Sequence, residues 1–320
     1  MKSTNLSFSE ENNNTPDVKR PNICPICEAR SMQVFHALQK GNYIKCNDCG
    51  LISVENFPSH NEMVARANYW AEKHHKNTVK VKQHFSTSFQ KFTFKNYLEL
   101  MESYRKTGYV LDVGCGIGSF VYAAKEKKWQ SFGIDIGSSI SVGEKYHLNI
   151  FNGKIEDMDF DAHQFDAITM FDVIEHIIDL NSLLEKTSYF LRRNGLLIIK
   201  TPNANGLSSK LLGSKWSSVQ PEDHMYLFSP KSLRMVLEKY GYKVLKTQTH
   251  DINIIELFWK NKNQKSESKS HSVKRNFIRI LYRSSILRTL RNLINVFVNL
   301  FKLGESIILY VEYSPNETDE

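Results

Sequence analysis

No run of eighteen apolar residues occurs anywhere in the 320-residue chain, so no segment is expected to span a membrane. The opening residues, Met1 to Ser7 and the acids and asparagines after them, lack the apolar stretch of a secretory leader. These two absences point to a cytoplasmic protein, a setting in which structural disulfides are rare. Cysteine is scarce, at five residues, and those five need another explanation. Acids are in deficit: 34 Asp and Glu face 42 Lys and Arg, for a net charge of +8. Apolar residues are plentiful, at 41% of the chain, enough for one large core and a small module beside it.

Four of the cysteines fall in two pairs, Cys24-Pro-Ile-Cys27 and Cys46-Asn-Asp-Cys49, with roughly eighteen residues between the pairs. Each Cys-x-x-Cys turn aims two thiolates inward, and two such turns complete a tetrahedral sulfur site that suits zinc. Residues 21–56 are therefore expected to form a zinc ribbon in which the metal, in a structural role, supplies most of the folding energy. A redox dithiol is the competing reading of a single pair. The fifth cysteine, Cys115, stands inside a glycine turn and reads as a small packing residue.

That turn is the most informative segment of the chain. Tyr109-Val-Leu-Asp112-Val-Gly114-Cys115-Gly116-Ile-Gly118 runs from a short apolar strand into three alternating glycines, and Phe120 to Lys128 then carries the apolar spacing of a helix. Strand, glycine turn and helix in this order form the first half of a nucleotide-binding unit, although glycines also occur where two elements merely pack tightly. A second strand, Ser131 to Ile136, ends at Asp135, about twenty positions past the turn, where a carboxylate accepts hydrogen bonds from ribose hydroxyls. Ser119 occupies the last glycine position of a dinucleotide fingerprint, and Asp112 adds negative charge beside the turn. Such charge repels phosphates and suits a ligand with an ammonium group.

With Gly-Ile-Asp135-Ile136, Phe165-Asp-Ala-Ile-Thr-Met-Phe171-Asp172-Val-Ile-Glu175-His176 and Asn194-Gly-Leu-Leu-Ile-Ile-Lys-Thr-Pro-Asn203 following the glycine turn in order, the chain resembles the class I S-adenosylmethionine-dependent methyltransferases. Within them it is similar to the bacterial ubiquinone-biosynthesis O-methyltransferases and sugar methyltransferases, over about two thirds of its length. The resemblance implies an α/β fold, a Rossmann-like doubly wound sheet of seven strands with the last antiparallel, in residues 107–313. It implies that Asp112, Gly114, Cys115, Gly116 and Gly118 face the methionine end of the cofactor, Asp135 the ribose and Ile136 the adenine, with Phe171 at the end of the fourth strand completing the set. Ile155 and Glu156 fall where relatives bring another loop to the adenine, although Lys154 stands where they often carry an acid. Residues 57–106 correspond to a helical cap, with Tyr69 near the methionine end. In the ubiquinone enzymes a motif like Asp172-x-x-Glu175-His176 is implicated in metal binding. A divalent ion that orients a substrate hydroxyl is one reading of these three residues, and a helix-capping role for His176 is the other.

Trp216 to Pro230 follows the fifth strand, above the transferable methyl group in such a fold. Removing a proton from the acceptor calls for a base, and His224 has a suitable pKa, with Glu222 and Tyr226 as partners. A lid that only shapes the pocket is the alternative.

Between Lys260 and Lys302 there are eleven Lys or Arg and one acid. Residues 261–272 read as a polar tether, and 277–303 as basic amphipathic helices broken near Ser284-Ser285, suited to an anionic membrane or to packing on the domain. Residues 252–303 are expected as an insertion between a sixth strand near Tyr242 and a last strand at Glu305 to Tyr313, with tails at 1–20 and 314–320. The expected function is methyl transfer from S-adenosylmethionine to a small-molecule or lipid-linked acceptor, such as a sugar intermediate of surface polysaccharide, in the cytoplasm or at the inner face of the membrane. An RNA methyltransferase and a non-enzymatic cofactor-binding scaffold are the competing classes.

Overall fold

The computed structural model describes residues 23–75, 83–86, 93–137, 140–250 and 296–315. The expected tail at 1–20, most of that at 314–320, the tether at 261–272 and all but the last residues of the 277–303 stretch lie outside them.

Eleven strands are described: β1 (Met32–His36), β2 (Tyr43–Cys46), β3 (Ile52–Val54), β4 (Tyr109–Val113), β5 (Gln130–Asp135), β6 (Asn149–Asn152), β7 (Phe165–Phe171), β8 (Leu191–Pro202), β9 (Tyr226–Leu227), β10 (Tyr242–His250) and β11 (Ser306–Tyr313). The helices are α1 (His60–His75), α2 (Lys95–Tyr104), α3 (Ser119–Glu126), α4 (Ile140–Glu144), α5 (Leu180–Phe190), α6 (Leu207–Leu212) and α7 (Pro230–Lys239).

Seven strands join in the order β10-β11-β8-β7-β4-β5-β6. Those from β8 to β6 pair in parallel, and β11 runs antiparallel to both β8 and β10, as the sequence led one to expect. Both faces of the sheet are covered, so its central strands read as continuous apolar runs, and the two-residue alternation sorts their side chains. Val110, Ala167, Ile198 and Tyr310 pack with Leu98, Met101 and Phe120 of α2 and α3. Leu111, Ile168, Leu197 and Leu309 pack on the other face with Leu183, Leu184, Leu233 and Leu237 of α5 and α7. Asp179 caps α5 by accepting from the Asn181 and Ser182 amides, and Ser229, followed by Pro230, starts α7 with a capping box.

From β4 the chain steps outward to β5 and β6 and then returns to β7 on the other side. This reversal opens a crevice at the carboxyl end of β4, the place where open parallel sheets bind ligands. The Gly114–Gly118 and Asp172–His176 turns both leave from there.

The second sheet has the order β1-β2-β3-β9, with every pairing antiparallel. Its first three strands are the ribbon, and the fourth comes from the segment before α7. Ribbon residues Tyr43, Leu51 and Ile52 share one buried cluster with Ile174, Trp216, Met225, Phe228 and Leu233. The ribbon thus leans on an apolar wall as well as on its cysteines, so burial shares in stabilising it beside the metal expected to supply most of the folding energy.

Candidate functional site

Gly114, Gly116 and Gly118 have φ of 69°, 54° and 82°, in the left-handed region that glycine occupies without strain. They differ in their surroundings. A Cβ on Gly114 would stand 2.3 Å from Val173 Cγ2, and one on Gly118 2.5 Å from Ile150 Cδ1. At Gly116 a Cβ would meet nothing within 4 Å. Gly114 and Gly118 therefore serve packing, whereas Gly116 borders an open cradle. Cys115 is buried beneath the turn, where its Sγ would lie 2.7 Å from a Cβ on Gly133, so that second glycine lets turn and strand close together.

Asp135 holds the cradle's shape: Oδ2 accepts from the Gly116 amide at 2.8 Å and Oδ1 from the Gly137 amide at 2.7 Å. Ile136 follows it, half-buried. Asp112 is 4% exposed and its Oδ1 accepts from Thr169 Oγ1 at 2.6 Å. Burial, helped by the charge of Asp135, pushes its carboxyl up to about 7. A cation beside it would draw the group back to its ionised form. An open cradle, a buried carboxyl and an acid ending the second strand together fit S-adenosylmethionine, which carries a sulfonium and an ammonium on a nucleoside.

The segment before β4 reaches this turn through a residue that sequence reasoning missed. His84 Nδ1 lies 3.4 Å from Ser119 Oγ, and the neighbouring Phe85 stacks on Tyr146 at 3.7 Å. Tyr69 is 57% exposed on α1. Phe171 packs among Phe94, Tyr97 and Phe120. Ile155 is buried, while Glu156, its carboxyl pushed up by burial, lines a cleft with Ser182, Glu185, Lys186 and Tyr189 of α5.

On the other side of Gly114 the chain turns sharply at Asp172, whose φ of 56° is unusual for a residue with a side chain. Its carboxylate pairs with Lys200. The expected trio of Asp172, Glu175 and His176 is therefore not assembled, because Asp172 is turned away onto β8. His224 takes its place: Glu175, His176 and His224 each offer one ligand atom within 4.8 Å of the others. Glu175 is 1% exposed; its Oε2 accepts from Thr201 Oγ1 at 2.9 Å, whereas its buried Oε1 has no partner. Burial pushes this carboxyl up to about 7. His176 Nδ1 donates to the Asp223 carbonyl at 2.7 Å, so His176 braces the segment 216–230 and the helix cap falls to Asp179.

The His224 ring stands edge-on to His176 with centroids 4.8 Å apart, and its Nδ1 donates to the Ser218 carbonyl at 2.9 Å. Burial, then the neighbouring His176, holds its pKa down to about 4, so the ring is neutral with Nε2 as an acceptor. Its expected partners are engaged elsewhere. Glu222 binds Lys40 Nζ at 2.9 Å and faces Arg66, and the Tyr226 hydroxyl donates to the Ile178 carbonyl at 3.2 Å. The lid itself is anchored through Trp216, whose indole donates to Glu305 at 2.6 Å.

Cys24, Cys27, Cys46 and Cys49 converge with all four sulfurs within 4.8 Å of one another. Cys24 and Cys49 are 3.4 Å apart, and Cys27 and Cys46 3.5 Å. Zinc bonds of the usual length require sulfurs about 3.8 Å apart, so the four thiols fit a tetrahedral ion with only a small expansion. The hydrogen bond between Cys24 and Cys49 lowers the Cys24 thiol and raises that of Cys49, so the pair gives up one proton readily and holds the other.

Comparison with known proteins agrees with this geometry. Residues 57–247 match the family described as Methyltransferase domain. The chain is 25% identical over 169 residues to the ubiquinone biosynthesis O-methyltransferase of Pelagibacter ubique, spanning 49% of this chain and 70% of that protein. It is 28% identical over 109 residues to the ubiquinone biosynthesis O-methyltransferase of Bradyrhizobium diazoefficiens, spanning 32% of this chain and 43% of that one. Among solved structures, the Haemonchus contortus phosphoethanolamine N-methyltransferase 2 bound to S-adenosylmethionine has the same fold at 16% identity, with a TM-score of 0.52 over 86% of this chain and 64% of its own. The complex of the Haloferax volcanii Trm112 activator with a methyltransferase gives a TM-score of 0.51 at 16% identity, over 80% of this chain and 98% of the matched one. With more than half of its length matched and the Rossmann-like sheet in place, the chain belongs to the class I S-adenosylmethionine-dependent methyltransferases.

Proposed function

We propose that this methyltransferase acts on a small-molecule or lipid-linked acceptor, with a sugar intermediate of surface polysaccharide as the first candidate. The observation that carries this reading is the meeting, at one edge of the sheet, of the cradle at Gly116 with the polar group of Glu175, His176 and His224. Val173, which packs on Gly114, joins the two. The bound cofactor supplies a sulfonium methyl that an acceptor lone pair attacks, the electron pair of the broken S–C bond returning to sulfur. Asp112 balances the cofactor's positive charge, Asp135 holds its ribose, and Gly116 lets it lie against the main chain. Glu175, itself buried, keeps a carboxylate oxygen within 4.8 Å of the His176 and His224 ring nitrogens. His224 enters the reaction neutral, and Nε2 receives the acceptor's proton while the nearby Asp223 favours the imidazolium that results. Much of the acceleration then comes from positioning. The ubiquinone O-methyltransferase relatives favour oxygen as the acceptor atom. The four ribbon cysteines hold a structural zinc ion.

Methyl-labelled S-adenosylmethionine, incubated with the protein and cell extract split into small-molecule, lipid and RNA fractions, tests the reading. Label is expected in the small-molecule or lipid fraction and is lost with Asp112→Asn. Label in RNA overturns the acceptor class. His224→Ala turning over normally with cofactor binding intact removes His224 from the base role.

A further inference from the structure

The backbone around His224 can be followed group by group. The Asp223 carbonyl accepts from His176 Nδ1, the His224 amide donates to the Gln220 carbonyl at 2.8 Å, and the Met225 amide donates to the Glu175 carbonyl at 2.6 Å. Two groups remain, and both are held by the ribbon. The Met225 carbonyl accepts from the Val54 amide at 2.9 Å, after which Tyr226 and Leu227 pair with Ser53 and Ile52. The His224 carbonyl accepts from the Tyr43 hydroxyl at 2.7 Å. Tyr43 is 0% exposed at the head of β2, three residues before Cys46, and burial pushes its phenol up, so the hydroxyl stays a donor at any working pH.

We infer that Tyr43 is a positioning residue for His224: through the carbonyl it holds, the ribbon fixes the direction in which the imidazole meets the acceptor. Without the hydroxyl, that part-buried carbonyl loses its donor and turns toward another. Turning it tilts the peptide unit that follows the His224 Cα, whose Met225 amide is already held by the Glu175 carbonyl. Met225 onward is clamped by β3, so the rotation is taken up at His224 itself. The ribbon is then part of the acceptor side of the enzyme, acting through one hydroxyl, and its role goes beyond anchoring the chain's amino end.

This inference rests on the reading of His224 as the base, and the test separates the two. Tyr43→Phe keeps the buried ring and removes only the donor. In protein labelled at histidine, the His224 resonances are expected to shift, because the ring, held by the Ser218 carbonyl and edge-on to His176, changes its surroundings when it turns. Transfer of labelled methyl to the responsive extract fraction should fall about tenfold, the cost of a small misplacement, with zinc content and S-adenosylmethionine affinity unchanged. In the double variant Tyr43→Phe/His224→Ala, losing the hydroxyl should cost nothing further. Unchanged His224 resonances and unchanged transfer in Tyr43→Phe, with His224→Ala inactive, overturn the inference alone. Normal transfer by His224→Ala overturns the underlying reading. Should Tyr43→Phe lose its zinc, the same resonances are followed in unsubstituted protein as a chelator strips the ribbon. A His224 signal that does not change while the ribbon amides lose protection also overturns the inference.

Discussion

In the proposed reading, Asp112 sets cofactor binding against stability. Its carboxyl, like that of Glu175, is raised in the folded protein to about 7 from an ordinary value near 4. A group raised in this way contributes stability that is fully present below about pH 4 and is lost as pH climbs through about 7, because the unfolded chain gives up its proton first. Asp112→Asn keeps an oxygen for the Thr169 hydroxyl and removes the ionisation. In the absence of cofactor the variant should lose less stability than wild type between about pH 4 and pH 7, by on the order of a few kcal/mol, and bind S-adenosylmethionine at least about tenfold more weakly. Urea midpoints across that range, with calorimetric titration of the cofactor, check both parts; parallel pH profiles would contradict the first. That Asp112, Asp135 and the three glycines gather around one turn was legible because each lies at a fixed spacing along one strand-turn-helix-strand unit. Which glycine borders open space was not, since it depends on Val173 and Ile150 arriving from distant segments. The partnership of His224 with Glu175 was hidden for the same reason.

Among the elements, the two knuckles of the ribbon repeat one another. After each Cys-x-x-Cys the chain turns through a residue with positive φ, Glu28 at 60° and Gly50 at 77°, whose amide donates 3.0 Å to the carbonyl of the first cysteine. This local geometry is what the cysteine spacing encodes, and it was readable. The pairing of β3 with β9 was not: a two-residue strand carries no alternation to detect, and its partner lies far along the chain. The reach of the ribbon follows from that pairing. Stripping zinc with a chelator is expected to raise hydrogen exchange at Val54 and Met225 by at least about tenfold, while the amides of β4 and β7 stay protected in a separately stabilised sheet. Exchange that rises equally in β4 would mean that the ribbon and the large sheet open as one unit.

At the scale of the whole molecule, the position of the insertion bears on where the enzyme works. His250, the last residue of β10, is paired with Ser306, the first of β11, and Ser306 is also opposite Pro202 at the carboxyl end of β8. Residues 251–305 therefore leave and return at the edge of the sheet that holds the glycine turn and Glu175. The alternation of the last strand made this topology legible, whereas the two amphipathic helices read from 277–303 fall mostly outside the described residues. At the returning end, Val296, Phe297, Leu300 and Phe301 are 55 to 72% exposed, though no helix among the described residues is long and apolar enough to cross a membrane. We propose that these exposed apolar side chains, beside a stretch with eleven Lys or Arg and one acid, dock on an anionic bilayer, where each cation near the surface contributes about 1 kcal/mol. The full chain is expected to sediment with vesicles containing anionic lipid and not with neutral ones, and added salt should reverse it. Replacing residues 252–295 by a short flexible linker should abolish the difference while cofactor affinity is kept, because the β10–β11 pairing and the contacts of Lys302 to Gly304 with Asn203 and Leu207 remain. Equal sedimentation with both vesicle types would detach the insertion from any membrane role, and the acceptor would then have to reach the crevice from solution.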